Sequence, residues 1–295
     1  MFKHKWIAKI TTFIFITSSI SLIFQCAARK PMWGDEESGF ILSYRPLESW
    51  HYLAENEEST VIEIMGQEQE TVVTSLNEYT MTLESKSADT LNMKVDIDSM
   101  SRNISGPQGT FDPDFSDVLG KEFQLLLTPL GHEEVEGIDD LVVDMGPQGG
   151  GEQSLRNYYR NLLPDLAEEP VKINDTWTVT DEYSAPVGNM DLTIATTTTH
   201  TLLGLEVVDE IECLKISAEV EGTVSGSGVQ GMNEFDINSE LKGNQTWFFD
   251  YQNGTYVKGD GGVDLVGTID VKGDYTFSMP ITQTTSAKVR LLGAQ

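Results

Sequence analysis

The chain is short of cysteine, histidine and positive charge, and each shortage excludes something. Only Cys26 and Cys213 occur in 295 residues. Once an N-terminal leader is processed, Cys26 is removed or lipidated, so no internal disulfide pair remains, although an oxidising compartment permits one. Cys213 sits in Ile211-Glu212-Cys213-Leu214-Lys215-Ile216, where alternation sets it among apolar positions as a buried, inert thiol. Beyond the leader the histidines are His51, His132 and His200, each isolated in sequence. No His-x-x-x-His, Cys-x-x-Cys or Glu-flanked zinc helix is present, so the sequence names no metal cofactor. Lys and Arg number 19 against 47 Asp and Glu, for a net charge of −28. That balance repels nucleic acid and anionic membrane faces, and fits solubility or basic partners. No later segment offers the ~20 mostly apolar residues of a membrane-spanning helix.

The first residues set the address. Lys3, Lys5 and Lys9 open the chain without an acid, and Ile10 to Phe24 is apolar but interrupted by threonines and serines. A basic start, a short apolar middle and small residues after it describe a secretory leader covering residues 1–28. Two exits fit it: cleavage after Ala28, or lipidation of Cys26 as the first residue of a lipoprotein. The address is the bacterial periplasm or outer cell surface, with membrane attachment only through the leader or a Cys26 lipid.

After a tether at 29–43 the pattern is β almost throughout. Leu91-Asn92-Met93-Lys94-Val95-Asp96-Ile97-Asp98 alternates strictly, as a strand does with one face packed and one wet. Turns are expected at Met65-Gly66-Gln67, Leu76-Asn77-Glu78 and Ser85 to Asp89, with a type I′ hairpin at Asn253-Gly254. Ser225-Gly226-Ser227-Gly228, within the Gly/Ser segment Gly222 to Gly231, reads as a flexible hairpin tip. A single helix is expected over Glu152–Leu163, where Leu155, Tyr158, Tyr159 and Leu162 fall at spacings of three and four and Pro164 follows. The expected fold is mainly β: an antiparallel meander forming a curved sheet or half-barrel, or two β lobes, with one short central helix. The divisions are an N-terminal lobe at 44–145, a Gly-rich loop and helix at 146–169, and a C-terminal lobe at 170–295.

No catalytic residues are assigned. Ser225-Gly226-Ser227-Gly228 lacks Gly-x-Ser-x-Gly spacing and a following helix. Gly146, Gly149, Gly150 and Gly151 precede the expected helix without the Lys-Ser/Thr of a phosphate loop. Asp112, Asp114 and Asp117 are weak calcium candidates, without the terminal Glu of the twelve-residue loop. The aromatics, with Trp247-Phe248-Phe249 breaking alternation, are read first as core. A second reading places Tyr158, Leu162, Trp177, Trp247 and Phe249 around a cavity for a hydrophobic ligand between sheet and helix.

Pro170-Val171-Lys172-Ile173-Asn174-Asp175-Thr176-Trp177 resembles the Pro…Val…Gly-Asp-x-Trp signature of a family of exported bacterial β-rich proteins, many of them lipoproteins. Tyr44, Gly120-Lys121 and Asn253-Gly254 share in the resemblance, which spans 44–292. Asn174 stands where the family has glycine; Asn also tolerates a left-handed turn. The resemblance implies a fold and an address but no activity. By architecture alone the chain is also similar to envelope lipoprotein carriers, whose curved sheet wraps helices around an acyl-chain cavity. A non-catalytic scaffold for binding or structural work is the first expectation. A carrier or sensor of a lipid or other hydrophobic small molecule is second, and a secreted hydrolase third. The expected partner is that small molecule or another envelope protein.

Overall fold

The computed structural model describes residues 32–46, 48–146, 151–187, 190–230, 233–273 and 276–294. The leader, Cys26 and the glycines Gly149 and Gly150 lie outside these residues. The protein is mainly β, an open, curved antiparallel sheet.

The strands, in chain order, are β1 Gly34–Asp35, β2 Gly39–Phe40, β3 Ser49–Ile64, β4 Gln67–Lys86, β5 Leu91–Gly106, β6 Gly109–Phe111, β7 Glu122–Leu127 and β8 Glu133–Glu136. They continue as β9 Val142–Asp144, β10 Glu152–Ser154, β11 Thr176–Val187, β12 Met190–Val208, β13 Ile211–Gln230, β14 Asn233–Asp250, β15 Thr255–Lys272 and β16 Phe277–Ala294. Twelve of them form one sheet, ordered β11-β12-β13-β14-β15-β16-β3-β4-β5-β7-β8, with β6 paired to β5. Along this order the strands follow the chain, apart from β7, which pairs with β5 past β6, and one long-range junction. There the last strand pairs with β3, through a register running from Ile281↔Ile62 to Ala294↔Trp50.

Local chemistry accounts for the hairpins. Met65 and Gly66 both take positive φ, 53° and 79°, as do Asp209 and Glu210 at 49° and 70°. Two successive positive φ values are what a two-residue type I′ turn requires, and that turn matches strand twist. In β5 the expected alternation holds, with Leu91, Met93, Val95 and Ile97 fully buried.

One face of the sheet, the inner face, carries the core at one end. Trp50, Tyr52, Tyr79, Trp247, Phe249 and Tyr256 meet there edge-on or tilted, with Tyr44 added from the loop before β3. Leu125, Ile138, Met145, Leu155, Tyr159, Leu163 and Leu166 complete the same cluster. The buried hydroxyls find partners: Tyr44 donates to Pro164 O at 2.8 Å and Tyr159 to Asn77 Oδ1 at 2.9 Å. Burying rings this large is the main stabilising contribution of this end.

The expected helix over Glu152–Leu163 is not present. Glu152–Ser154 pairs with Val142–Asp144 as β10 and β9, and only Leu155–Tyr158 makes a 3-10 turn, capped by the Ser154 hydroxyl. Asn161 takes a left-handed φ of 55°, and Glu133 accepts the N–H groups of Leu162 and Leu163 at 3.0 and 2.7 Å. Leu155 and Tyr159 are buried and Tyr158 and Leu162 half-buried, but tertiary partners satisfy the backbone in place of i→i−4 bonds.

Three expected turns also differ. Leu76-Asn77-Glu78 lies inside β4, where the register against β5 slips at Glu78/Tyr79, so the segment ends at a bulge rather than a turn. Gly222–Gln230 is the far half of β13 rather than a tip. Asn253-Gly254 ends a four-residue turn in which only Gly254 has positive φ. The Asp250 carboxylate sets that turn by accepting the N–H groups of Gln252 and Asn253.

Candidate functional site

Residues paired across neighbouring strands share a face, so the register shows what the inner face presents along its length. At the packed end it is aromatic. At the opposite end it is aliphatic, and no part of the aromatic core cluster reaches it. One row there reads Ala185, Leu192, Gly226, Ile237, Ile269, Met279 across six strands. The row beyond it holds Phe235, Val271 and Phe277, and the row before it Ile194, Val224, Ile281 and Ile62. Ala185, Val224, Ile237, Ile269 and Val271 are buried yet belong to neither hydrophobic cluster of the fold. They are shielded by their neighbours in a single curved layer.

Glycine on the inner face allows that curvature. A Cβ on Gly226 would stand 2.3 Å from the Asp191 carbonyl oxygen, and one on Gly267 2.3 Å from that of Asn238. The strands approach more closely on this side than any side chain permits.

Between the two ends lies a mixed band, in which Thr196, Thr198, Gln283, Thr285, Thr60 and Glu58 flank Leu241, Leu265, Val220 and Val263 in the same two inner-face rows. The aromatic end borders it through His200, which stacks on Trp177 at 5.0 Å and meets Trp247 edge-on at 5.7 Å. Among the described residues neither His200 Nδ1 nor Trp247 Nε1 has a hydrogen-bond partner. Burial pushes His200 down to about 4, so the ring is neutral across the physiological range. From aromatic floor to aliphatic tip, the inner face is an amphipathic trough.

The proposed cavity residues fall mainly outside the open part of this trough. Trp247 and Phe249 are fully buried in the aromatic cluster, and Trp177, Tyr158 and Leu162 pack against it from the side. Tyr158 accepts a hydrogen bond from Arg102 and lies 5.3 Å beneath its guanidinium. Of the calcium candidates, Asp112 accepts from Asn103 and Asp114 from the Ser116 N–H. Among the described residues no three His, Cys, Asp or Glu side chains gather as a metal site. Cys213 is buried and free, and burial pushes its thiol up to about 12. Sequence reasoning missed the aliphatic tip because its glycines read as breaks in strands that they in fact curve.

A second concavity lies where the sheet fails to close. Its two edges, β11 and β8, face each other across residues 160–165. Glu133 on β8 holds that segment through Leu162 and Leu163, while Asn161 donates to Asp181 on β11 at 3.2 Å. The Arg160 guanidinium lies 4.5 Å over the Tyr183 ring of β11. Burial, the largest influence, pushes Glu133 up to about 8; the backbone donors oppose this and Asp165 adds to it. Alongside runs a groove of about 760 Å³ lined by Thr176 to Thr180 on one wall and by Asp165 to Val171 on the other. His132 pairs with Asp165 at 3.1 Å at its rim, while His51 pairs with Glu78 at 2.8 Å away from it.

No protein-family model and no curated protein sequence matches the chain. Among solved structures, OccK5 (OpdH) of Pseudomonas aeruginosa is 7% identical, with 85% of this chain and 100% of that one covered, at a TM-score of 0.25. The COG4313 outer membrane channel of Pseudomonas putida F1 is 9% identical, covering 84% and 98%, at 0.19. A DUF1329 family protein of Desulfovibrio piger is 10% identical, covering 84% and 88%, at 0.15. Similarity at these scores defines no common arrangement, and function is argued from this chain's own residues. Those residues differ from a membrane barrel in polarity. The outer face of β13 presents Glu219, Glu221, Thr223, Ser225 and Ser227 in alternation, the reverse of the apolar outer band that meets lipid.

Proposed function

We propose that the chain is an exported cell-envelope protein that binds a hydrophobic ligand, an acyl chain, along the aliphatic end of its inner face, without performing chemistry on it. The observation that carries this is the set of aliphatic rows centred on Ile237 and Ile269, which no core cluster covers. Chemistry favours an acyl chain over a peptide. The sheet's interior strands spend their backbone groups on each other, and within the rows the polar side chains are Ser239 at the centre and Tyr183 and Gln69 toward the flanks. A peptide laid there would bury its own amides unpaired, at a cost an acyl chain does not incur. Thr196 on one flank and Gln283 with Thr60 on the other then meet the ligand's polar end. The address rests on the leader pattern of Lys3, Lys5, Lys9 and the apolar stretch after them, with Cys26 as the lipidation candidate.

The test is to express the full chain in a bacterial host, purify it gently, extract with organic solvent and run lipid mass spectrometry against a mock purification. A lipid enriched in proportion to protein is expected, and its loss in Met279→Glu, which places a charge in the central aliphatic row. A blank from protein shown to be folded by circular dichroism would sink the ligand and leave the sheet as a scaffold for protein partners.

A further inference from the structure

The groove beside β11 differs from the trough in one respect: it is lined by consecutive residues. Thr176, Trp177, Thr178, Val179 and Thr180 all contribute to its wall. A strand seen face-on offers every second residue; one seen edge-on offers them all. The groove therefore runs along the free edge of β11, which pairs on its other side with β12 from Thr176↔Thr201 onward. Among the described residues no backbone hydrogen bond reaches that outward edge. The nearby bonds are made by side chains, Trp177 Nε1 to the Asp165 carbonyl at 3.2 Å and Asn161 to Asp181.

We infer that this groove accepts an extended basic peptide segment, which adds to β11 as a further strand. An open edge supplies main-chain donors and acceptors for such an addition, and its walls select the side chains. Here the walls are acidic: Asp165, Glu168, Glu169 and Asp175 line the groove, against His132 as the one basic group. Glu168, Glu169 and Asp175 are exposed and, among the described residues, have no salt-bridge partner. In a chain of net charge −28 this wall draws cationic segments over long range. A second copy is a poorer occupant, because β11 brings Asp181 and Glu182 and no base to the pairing. Lysine or arginine at alternate positions of the incoming strand would face the acids, with small or β-branched residues between them.

The experiment uses the full chain, purified after export, and an end-blocked peptide of alternating lysine and threonine. Binding is followed by tryptophan fluorescence, and the amides of Thr176 to Thr180 by hydrogen exchange. The expected result is saturable binding that weakens with salt and slows exchange at those amides. Affinity should fall about tenfold or more when the peptide is N-methylated along one edge, since this removes its main-chain bonds and keeps its charge. Replacing Glu168 and Glu169 together by lysine, both exposed and outside the core, should shift preference to an otherwise identical acidic peptide of alternating glutamate and threonine. Four results would overturn the inference: no binding; equal binding of the N-methylated peptide, which would mean charge alone; equal binding of the acidic peptide by the unmodified protein; or protection of β11 by self-association seen in sedimentation without peptide.

Discussion

Tyr52 donates its phenolic hydrogen to the backbone carbonyl of Tyr256 at 2.8 Å, a buried bond between residues 204 positions apart. It ties the first long strand of the chain to β15, two strands away in the sheet, with the rings tilted at 31° and 6.1 Å between centroids. Tyr52→Phe keeps the ring and strands a buried acceptor. Stability should fall by about 1–2 kcal/mol, read as a lower urea midpoint with an unchanged slope. An unchanged midpoint would mean that water replaces the hydroxyl.

Glu133 holds the segment between the sheet's two edges, and its proton affinity makes that hold depend on pH. Its folded-state pKa of about 8 lies above the ordinary 4.5. The folded chain keeps a proton that the unfolded chain releases, so the contribution is fully present below about 4.5 and lost as pH rises through 8. Between pH 5 and 9 the wild type should lose stability relative to Glu133→Gln, which cannot titrate. Parallel pH profiles for the two proteins would refute this.

His200 acts in the opposite direction. Burial depresses it to about 4 from 6.5, so its contribution is present above 6.5 and lost as pH falls through 4. His200→Phe retains a ring to stack on Trp177. The wild type's thermal midpoint should fall relative to that of the variant as the pH is lowered from 6.5 to 4. A constant difference would place the histidine in contact with solvent.

The curvature of the aliphatic end rests on inner-face glycine. Gly226→Ala sets a methyl 2.3 Å from the Asp191 carbonyl and 2.8 Å from Leu192 Cδ2, so the strands must part. A loss of roughly 1–3 kcal/mol is expected, together with reduced lipid retention. Ser227→Ala, one residue on and facing outward, should change neither property. If both variants behave as wild type, the close approach at Gly226 does not shape the trough.

The sequence was most legible where one residue's neighbours decide its environment. The Leu91–Asp98 alternation is β5, and the Met65-Gly66 turn lies where composition places it. Asn174, which stands where the resembling signature has glycine, takes a left-handed φ of 73°, with Asp175 accepting from the Lys172 N–H. Legibility failed where distant partners overrode local preference. Leu155, Tyr159 and Leu163 show helical spacing, but Leu141, Glu133 and the Arg156–Asp139 pair take up the surrounding polar groups and leave a non-helical path. Glycines such as Gly226 and Gly243 read as breaks because their use depends on a neighbouring strand that sequence does not reveal. The trough was invisible for the same reason: Ile237, Ile269 and Met279 are far apart in sequence and meet only through register.

The joining of β16 to β3 also governs how the molecule is made. Every other pairing in the large sheet links strands that follow one another closely along the chain, so each half can zip up locally as it emerges. The Ile281↔Ile62 register instead closes a loop of more than two hundred residues and requires the final strand, Phe277–Ala294, to be present. Long-range closure of this kind is slow. Until it occurs, two unfinished arrays expose the inner edges of β3 and β16 to other chains. The last strand is thus the latch of the whole assembly, and a chain cut short before it would be a target for proteolysis or clumping rather than a smaller working protein.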